Sequence, residues 1–197
     1  MAIPCTHCGR EYDVTLFEFG RTLWCTCGNR VGLESRVRPI SNASERHFSA
    51  DAMLGKLAHW LRLLGFDCSY ESDIADAMLV RRAIEQGRVI LTRDRALPDE
   101  WWLPEIHVVQ AERTFEQLKE VVRRFDLADG VRPLSRCSEC NRPLTRVAAE
   151  NVSGRAPAQI LATQDSLQAC PGCGRVYWEG SHTRRIRRVV EQLVAGG

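Results

Sequence analysis

Eight of the nine cysteines fall into four close pairs, Cys5/Cys8, Cys25/Cys27, Cys137/Cys140 and Cys170/Cys173, and Cys68 stands alone. Nothing else in the sequence limits the fold so strongly. Two thiolates two or three residues apart can bite one tetrahedral Zn²⁺ at about 2.3 Å, and two such pairs close a site. "CTHCGR" (5–10) pairs with "CTCGNR" (25–30), and "CSECNR" (137–142) pairs with "CPGCGR" (170–175). Gly9, Gly28, Gly174 and Asn141 follow the second cysteine of each pair, where a positive φ turns the backbone and aims amides at sulfur. Cys25-Thr-Cys27 is one residue tighter than the rest, and His7 is a rival nitrogen ligand between two better-placed thiols. "CPGC" by itself would suit a redox dithiol, but a second pair stands ready to complete a metal site. The expectation is two structural zinc ions. Closed four-thiolate sites leave no open position for catalysis, so the chemistry has to lie elsewhere. Cys68 reads as a small apolar core residue.

Between the cysteine clusters the pattern alternates. "RHFSA", "FDCSY", "RVILT" and "EIHVVQ" are strand-like. "AMLGKLAHWLRLLG" repeats Met53, Leu54, Leu57, Trp60, Leu61 and Leu64 at helical spacing, with Gly65 where a C′ glycine belongs. "DIADAMLVRRAIEQG" and "TFEQLKEVVRRFD" give two more helices. Strands alternating with helices of this length imply a parallel α/β sheet. The expected organisation is an N-terminal zinc ribbon and linker over 1–42, an α/β core over 43–134, and a second ribbon with a basic helical tail over 135–197.

Ligands of an open parallel sheet collect beyond the carboxyl ends of its strands. Asp51 follows the first strand, Asp76 opens the second helix, and Asp94 lies just past the third strand in "GRVILTRDRAL" (87–97). Carboxylates that converge repel unless a cation neutralises them, and hard oxygen ligands select Mg²⁺ or Mn²⁺. Such an ion can activate water against a phosphodiester. The competing reading makes Asp51 and Asp76 helix N-caps and Asp94 the start of an Asx-turn. Gly-rich phosphate loops and a Gly-x-Ser-x-Gly elbow are absent.

A net charge of +2 demands no polyanionic partner. Of 27 basic residues only Lys56 and Lys119 are lysines, which suits phosphate contacts but also follows from genome composition. Without an apolar stretch near the ~20 residues of a membrane span, and with no signal-peptide pattern at the N-terminus, the expectation is a cytoplasmic protein with no membrane role.

"DAMLGKLAHWLRLLGFD" (51–67), "GRVILTRDRAL", "RCSECNRPL" (136–144) and "CPGCGRVYWEGSH" (170–182) together resemble the Mut-seven C-terminal RNase family, over about residues 47 to 190. The resemblance implies a PIN-like, Rossmann-like parallel sheet flanked by helices with a built-in zinc ribbon; the N-terminal ribbon is an addition to it. It implies a metal-dependent ribonuclease, a hydrolase acting on ester bonds, with Asp51, Asp76 and Asp94 holding catalytic Mg or Mn. Asp73 and Asp99 are further carboxylates near that set. Lys56, Arg62 and Arg93 match basic positions expected to touch RNA, and His182 of "GSH" is a substrate contact. His59 departs from the arginine usual at its position, which weakens phosphate attraction there. The alternative function is a non-catalytic nucleic-acid or ribonucleoprotein binding module. Trp101, Trp102, Tyr177 and Trp178 would stack bases in it, and Arg184, Arg185, Arg187 and Arg188 would follow the backbone. A protein partner docking on the N-terminal ribbon is the third reading.

Overall fold

The computed structural model describes residues 1–33, 46–103, 105–164, 167–180, 183, 186 and 188–192. The stretch read as a linker, 36–45, and His182, Arg184, Arg185 and Arg187 of the tail lie outside the described residues.

The first ribbon is two antiparallel hairpins, β1 (Ala2–Pro4) with β2 (Glu11–Asp13) and β3 (Thr22–Trp24) with β4 (Arg30–Gly32). A 3₁₀ segment over Val14–Gly20 joins them, capped by Asp13, whose side chain accepts from the Thr15 amide. The α/β part then runs β5 (Phe48–Ala50), α1 (Gly55–Leu63), β6 (Cys68–Tyr70), α2 (Asp76–Gln86), β7 (Val89–Thr92), α3 (Leu97–Glu100), β8 (Ile106–Val108) and α4 (Thr114–Arg124). The second ribbon holds β9 (Thr145–Val147), α5 (Ala158–Thr163), β10 (Leu167–Ala169) and β11 (Val176–Trp178), its three strands antiparallel with β10 in the middle. In the tail, Thr183, Ile186 and residues 188–192 are helical, as the sequence leads one to expect.

The four strands expected of the core form one sheet in the order β6-β5-β7-β8. Parallel pairing sets Ala50 opposite Leu91 and Thr92 opposite Val108. Every residue of β5 and β7 is buried, which matches their unbroken apolar or small sequence. The chain leaves β5 for β6 on one side and returns to β7 on the other, so β5 and β7 flank a topological switch point.

The described residues divide into two compact units, and the division passes through the stretch 43–134 that the sequence assigns to one core. One unit takes the first ribbon with His47–Gly55 and Tyr70–Gln110. Its core sets Leu79, Val80 and Ala83 of α2 against Ile90, Leu97 and Trp101. The other takes Lys56–Ser69 and the chain from Ala111 onward. There Leu57, Ala58, Leu61 and Leu64 are buried along one face of α1, and Leu118, Val121, Val122 and Phe125 along one face of α4. Met53 departs from its expected place on the α1 face and is 65% exposed, because the helix starts with a 3₁₀ turn over Ala52–Leu54 that rotates it outward.

Gly65 ends the first helix at φ +98°, and a Cβ there would sit 2.4 Å from the Arg132 carbonyl oxygen and 2.5 Å from Ser135 Oγ. Both the backbone angle and the close approach require glycine. Gly65→Ala is expected to destabilise the protein by at least about 2 kcal/mol, read as a lowered urea midpoint at unchanged m-value.

Candidate active site

The acidic edge is organised by a residue that sequence reasoning passed over. Thr92, fully buried at the end of β7, donates its hydroxyl to Asp51 Oδ2 at 2.7 Å and accepts the Asp94 amide at 2.9 Å. One side chain thus ties together the residues beyond two adjacent strand ends. The signal was present in "TRD", a β-branched hydroxyl placed where an apolar strand stops. Asp51 is 7% exposed and holds the N-cap position of the 3₁₀ turn, yet its carboxylate makes no cap hydrogen bond. Its second oxygen takes no hydrogen bond among the described residues. Asp94 does form the Asx-turn, through Oδ1 to the Ala96 amide at 2.8 Å, and its other carboxylate oxygen stays free of such bonds.

Asp76 is not a cap either, since Ala75 holds that place and Asp76 sits in the first turn of α2. A helix N-terminus should favour its charged form. Its carboxyl is nonetheless pushed above the ordinary range, first by burial and then by the charges of Asp51 and Asp94. The three aspartates therefore share one field. They do not close like the thiols: among the described residues, the groups of ligand atoms all within 4.8 Å of one another are the two cysteine quartets. Asp73 and Asp99 are exposed, and the Asp99 main chain is engaged by Thr22.

The basic positions separate. Lys56 is exposed on α1 and Arg93 is half-buried, and among the described residues neither pairs with a carboxylate. Arg62 corrects the expectation of an RNA contact. It is buried, its Nε donates to the Cys68 carbonyl at 2.8 Å, and Nη1 donates to the carbonyls of Ser138 and Glu139 at 3.3 and 2.6 Å. Its guanidinium fastens α1 to the second ribbon. Trp101 is likewise buried, 6% exposed, within the α2 core. The Arg30 guanidinium covers the Trp102 ring at 5.6 Å.

Both thiol quartets fit a tetrahedral zinc. Across the first, Cys5–Cys27 and Cys8–Cys25 sulfurs lie 3.7 and 3.5 Å apart; across the second, Cys137–Cys173 and Cys140–Cys170 lie 3.6 and 3.2 Å apart. Bonds of about 2.3 Å to one tetrahedral ion would set sulfurs about 3.8 Å apart, and disulfides would need about 2.05 Å. Gly9, Gly28, Asn141 and Gly174 all have positive φ, as expected. Amides of Cys140, Gly172 and Cys173 donate to sulfur. Each ribbon adds a tyrosine: Tyr12 bonds to the Cys25 thiol and Tyr177 Oη lies 3.1 Å from Cys137 Sγ. The Cys27 amide and Tyr12 hold the Cys25 thiol down at about 6. At Cys170, burial pushes upward, but the Cys173 amide and the Cys140 thiol outweigh it and bring the group to about 6. Such donors are what a bound thiolate needs. Asn141 does more than turn: its side chain accepts from the Cys68 amide and donates to Asp67. Cys68 itself is buried and lies outside both quartets.

The first ribbon is seated on α3 rather than tethered beside it. Arg30 Nη2 donates to the carbonyls of Pro98 and Trp101 at 2.6 and 3.0 Å, and Thr22 Oγ1 donates to the Asp99 carbonyl at 2.8 Å. Gly20 accepts from the Trp102 amide. The segment so clamped starts at the Asp94 turn.

These features define an α/β domain with carboxylates at its switch point and a four-thiol ribbon built into the same chain. The family model described as Mut7-C RNAse domain matches residues 46–190, and the chain belongs to that family, whose description points to a ribonuclease-type function. No curated protein and no solved structure matched the chain significantly. Among the described residues no helix is long and apolar enough to cross a membrane.

Two measurements follow from this geometry. Purified protein is expected to release two zinc ions per chain to a thiol reagent and colorimetric chelator, and Cys170→Ser one. Without added divalent metal, Asp76→Asn is expected to unfold at a higher urea concentration than wild type at pH 7. A carboxyl whose folded pKa is raised costs stability as pH climbs through that pKa, so the gap should close below the ordinary carboxylate range.

Proposed function

We propose that this protein is a metal-dependent ribonuclease that hydrolyses RNA phosphodiesters at the Asp51–Asp76–Asp94 edge. The observation that carries the reading is the Thr92 bridge, which ties Asp51 to Asp94 at the switch point while leaving an oxygen of each without a donor among the described residues. Membership in a family described as an RNAse domain supports it. The raised carboxyl of Asp76 supports it too, because carboxylates that raise one another favour a cation among them.

Asp51 and Asp94 would supply the first oxygens to Mg²⁺ or Mn²⁺, and Asp76, whose charge is disfavoured by burial and by the other two carboxylates, would complete the set. The ion would lend Lewis acidity, polarising water and neutralising charge at the phosphorus. Thr92 fixes the direction of the Asp51 carboxylate by donating to it, and Asp51 burial limits competing water. Arg93, next to Asp94 and unpaired, would meet a phosphate oxygen through its planar fork. Lys56 is the second candidate for the RNA backbone. RNA is the partner on this reading, and a cytoplasmic location remains the accompanying expectation. Nothing in the ribbon clamps favours the binding-module reading over it, since Trp101 is buried and Trp102 is covered.

Mixed-sequence single-stranded RNA should be cleaved by the zinc-loaded protein in Mn²⁺ or Mg²⁺. Asp94→Asn, with its two zinc ions and its fold intact, should cut at least about 100-fold more slowly, the scale of losing one charge-stabilising group. Equal cleavage by both proteins would remove the proposal.

A further inference from the structure

The unit that carries the second ribbon contains a cavity of about 700 Å³, within the range of about 300–1,000 Å³ usual for small-ligand sites. None of the three aspartates lines it. Trp60 of α1 and Trp178 of β11 give it broad apolar walls, both half-buried, with Tyr177 beside them. At its edge stands Glu139, whose Oε1 lies 3.8 Å from His59 Nδ1 and 3.6 Å from Arg175 Nη1. Both distances exceed those of a proper charge-assisted hydrogen bond. The carboxylate is therefore flanked by an imidazole and a guanidinium but retains its capacity to accept.

Glu139 is also held in place. It sits inside the Cys137–Cys140 knuckle, and its carbonyl is gripped by the buried Arg62 at 2.6 Å. A zinc knuckle thus presents a carboxylate on a rigid support, which is how a recognition group is preorganised. On the cavity wall, Leu134 is kept at φ +58°, a costly backbone for a leucine. Flat aromatic walls suit an unstacked nucleobase. A carboxylate offers two adjacent acceptors, and the base edge with two adjacent N–H donors is the Watson–Crick edge of guanine. Arg175 and His59 can donate to an acceptor of the same ligand.

We propose that this cavity is a binding subsite for a single unpaired guanine of an RNA strand, stacked against Trp60 or Trp178 with its edge on Glu139. The proposal rests on RNA being the ligand of this protein. It adds a base preference to the acidic edge, where a cation and Arg93 are proposed to meet the phosphodiester backbone, which carries no sequence information.

The test uses full-length, zinc-loaded protein without added Mg²⁺ or Mn²⁺ and four fluorescein-labelled RNA pentamers, UUGUU, UUAUU, UUCUU and UUUUU, followed by anisotropy. The guanine pentamer should bind at least about tenfold more tightly than the others, the scale of one bidentate base contact. Glu139→Gln should reduce that preference to about twofold or less, and 6-thioguanosine at the centre should photocrosslink to the peptide holding Trp60 or Trp178. Equal affinity for all four pentamers, a preference that survives Glu139→Gln, or a crosslink elsewhere would overturn the proposal. Cleavage by wild type and Asp94→Asn in Mn²⁺ is measured alongside. Cleavage lost in Asp94→Asn without a guanine preference removes the cavity proposal and keeps the nuclease. A guanine preference that Glu139→Gln abolishes, with no cleavage by either protein, keeps the cavity and removes the nuclease.

Discussion

Each strand of this chain is three or four residues long, and backbone pairing over so short a run does not hold a hairpin in water. The convergence of four sulfurs on one point takes over that task at both ends of the sequence. In the first ribbon the apolar core is only Cys5, Phe17, Cys25 and Val31 with a few half-buried neighbours. Two of those four belong to the thiol quartet that could hold a metal ion. Metal coordination in a module of this kind is folding energy, and the amides and tyrosines that face the sulfurs are part of the same device. What rests on the ribbons inherits their dependence on thiolate chemistry.

Both ribbons are attached to their own unit by an arginine that donates to main-chain carbonyls. Arg30 reaches Pro98 and Trp101 around α3, and Arg62 reaches Cys68, Ser138 and Glu139 around α1. A guanidinium has five donors in a fixed fork and can span three carbonyls, which a lysine ammonium on a flexible stem cannot reproduce. At these two positions the excess of arginine over lysine has a structural use.

The strands of the sheet and the four knuckles were legible because each rests on local pattern: apolar runs bounded by Gly65 and Gly87, and cysteines at fixed spacing. The three aspartates were legible as residues that follow strands. Their relation was not, because it passes through Thr92, a contact of residues 41 apart in sequence. Arg62 was misread for a related reason. On a helical wheel it looks like solvated charge, and only the return of the chain at Ser138 and Glu139 buries it. The seat of the first ribbon on α3 was hidden in the same way, since Arg30 and Pro98 are far apart along the chain. Trp178, next to the second ribbon, packs with Leu167 and Val152 and also lines a cavity, a double placement that sequence spacing does not reveal.

Thr92 carries one further consequence. A β-branched side chain in a strand has few torsional states open to it, and here the strand is buried on all sides. The hydroxyl direction is thus dictated by the backbone. Geometry at the acidic edge is stored as a rotamer. Carboxylates on mobile supports would spread to relieve their repulsion, and drawing them together again would cost ordering entropy each time. A stiff torsion at the end of β7 removes that recurring cost and makes the arrangement of Asp51 and Asp94 a property of the folded chain.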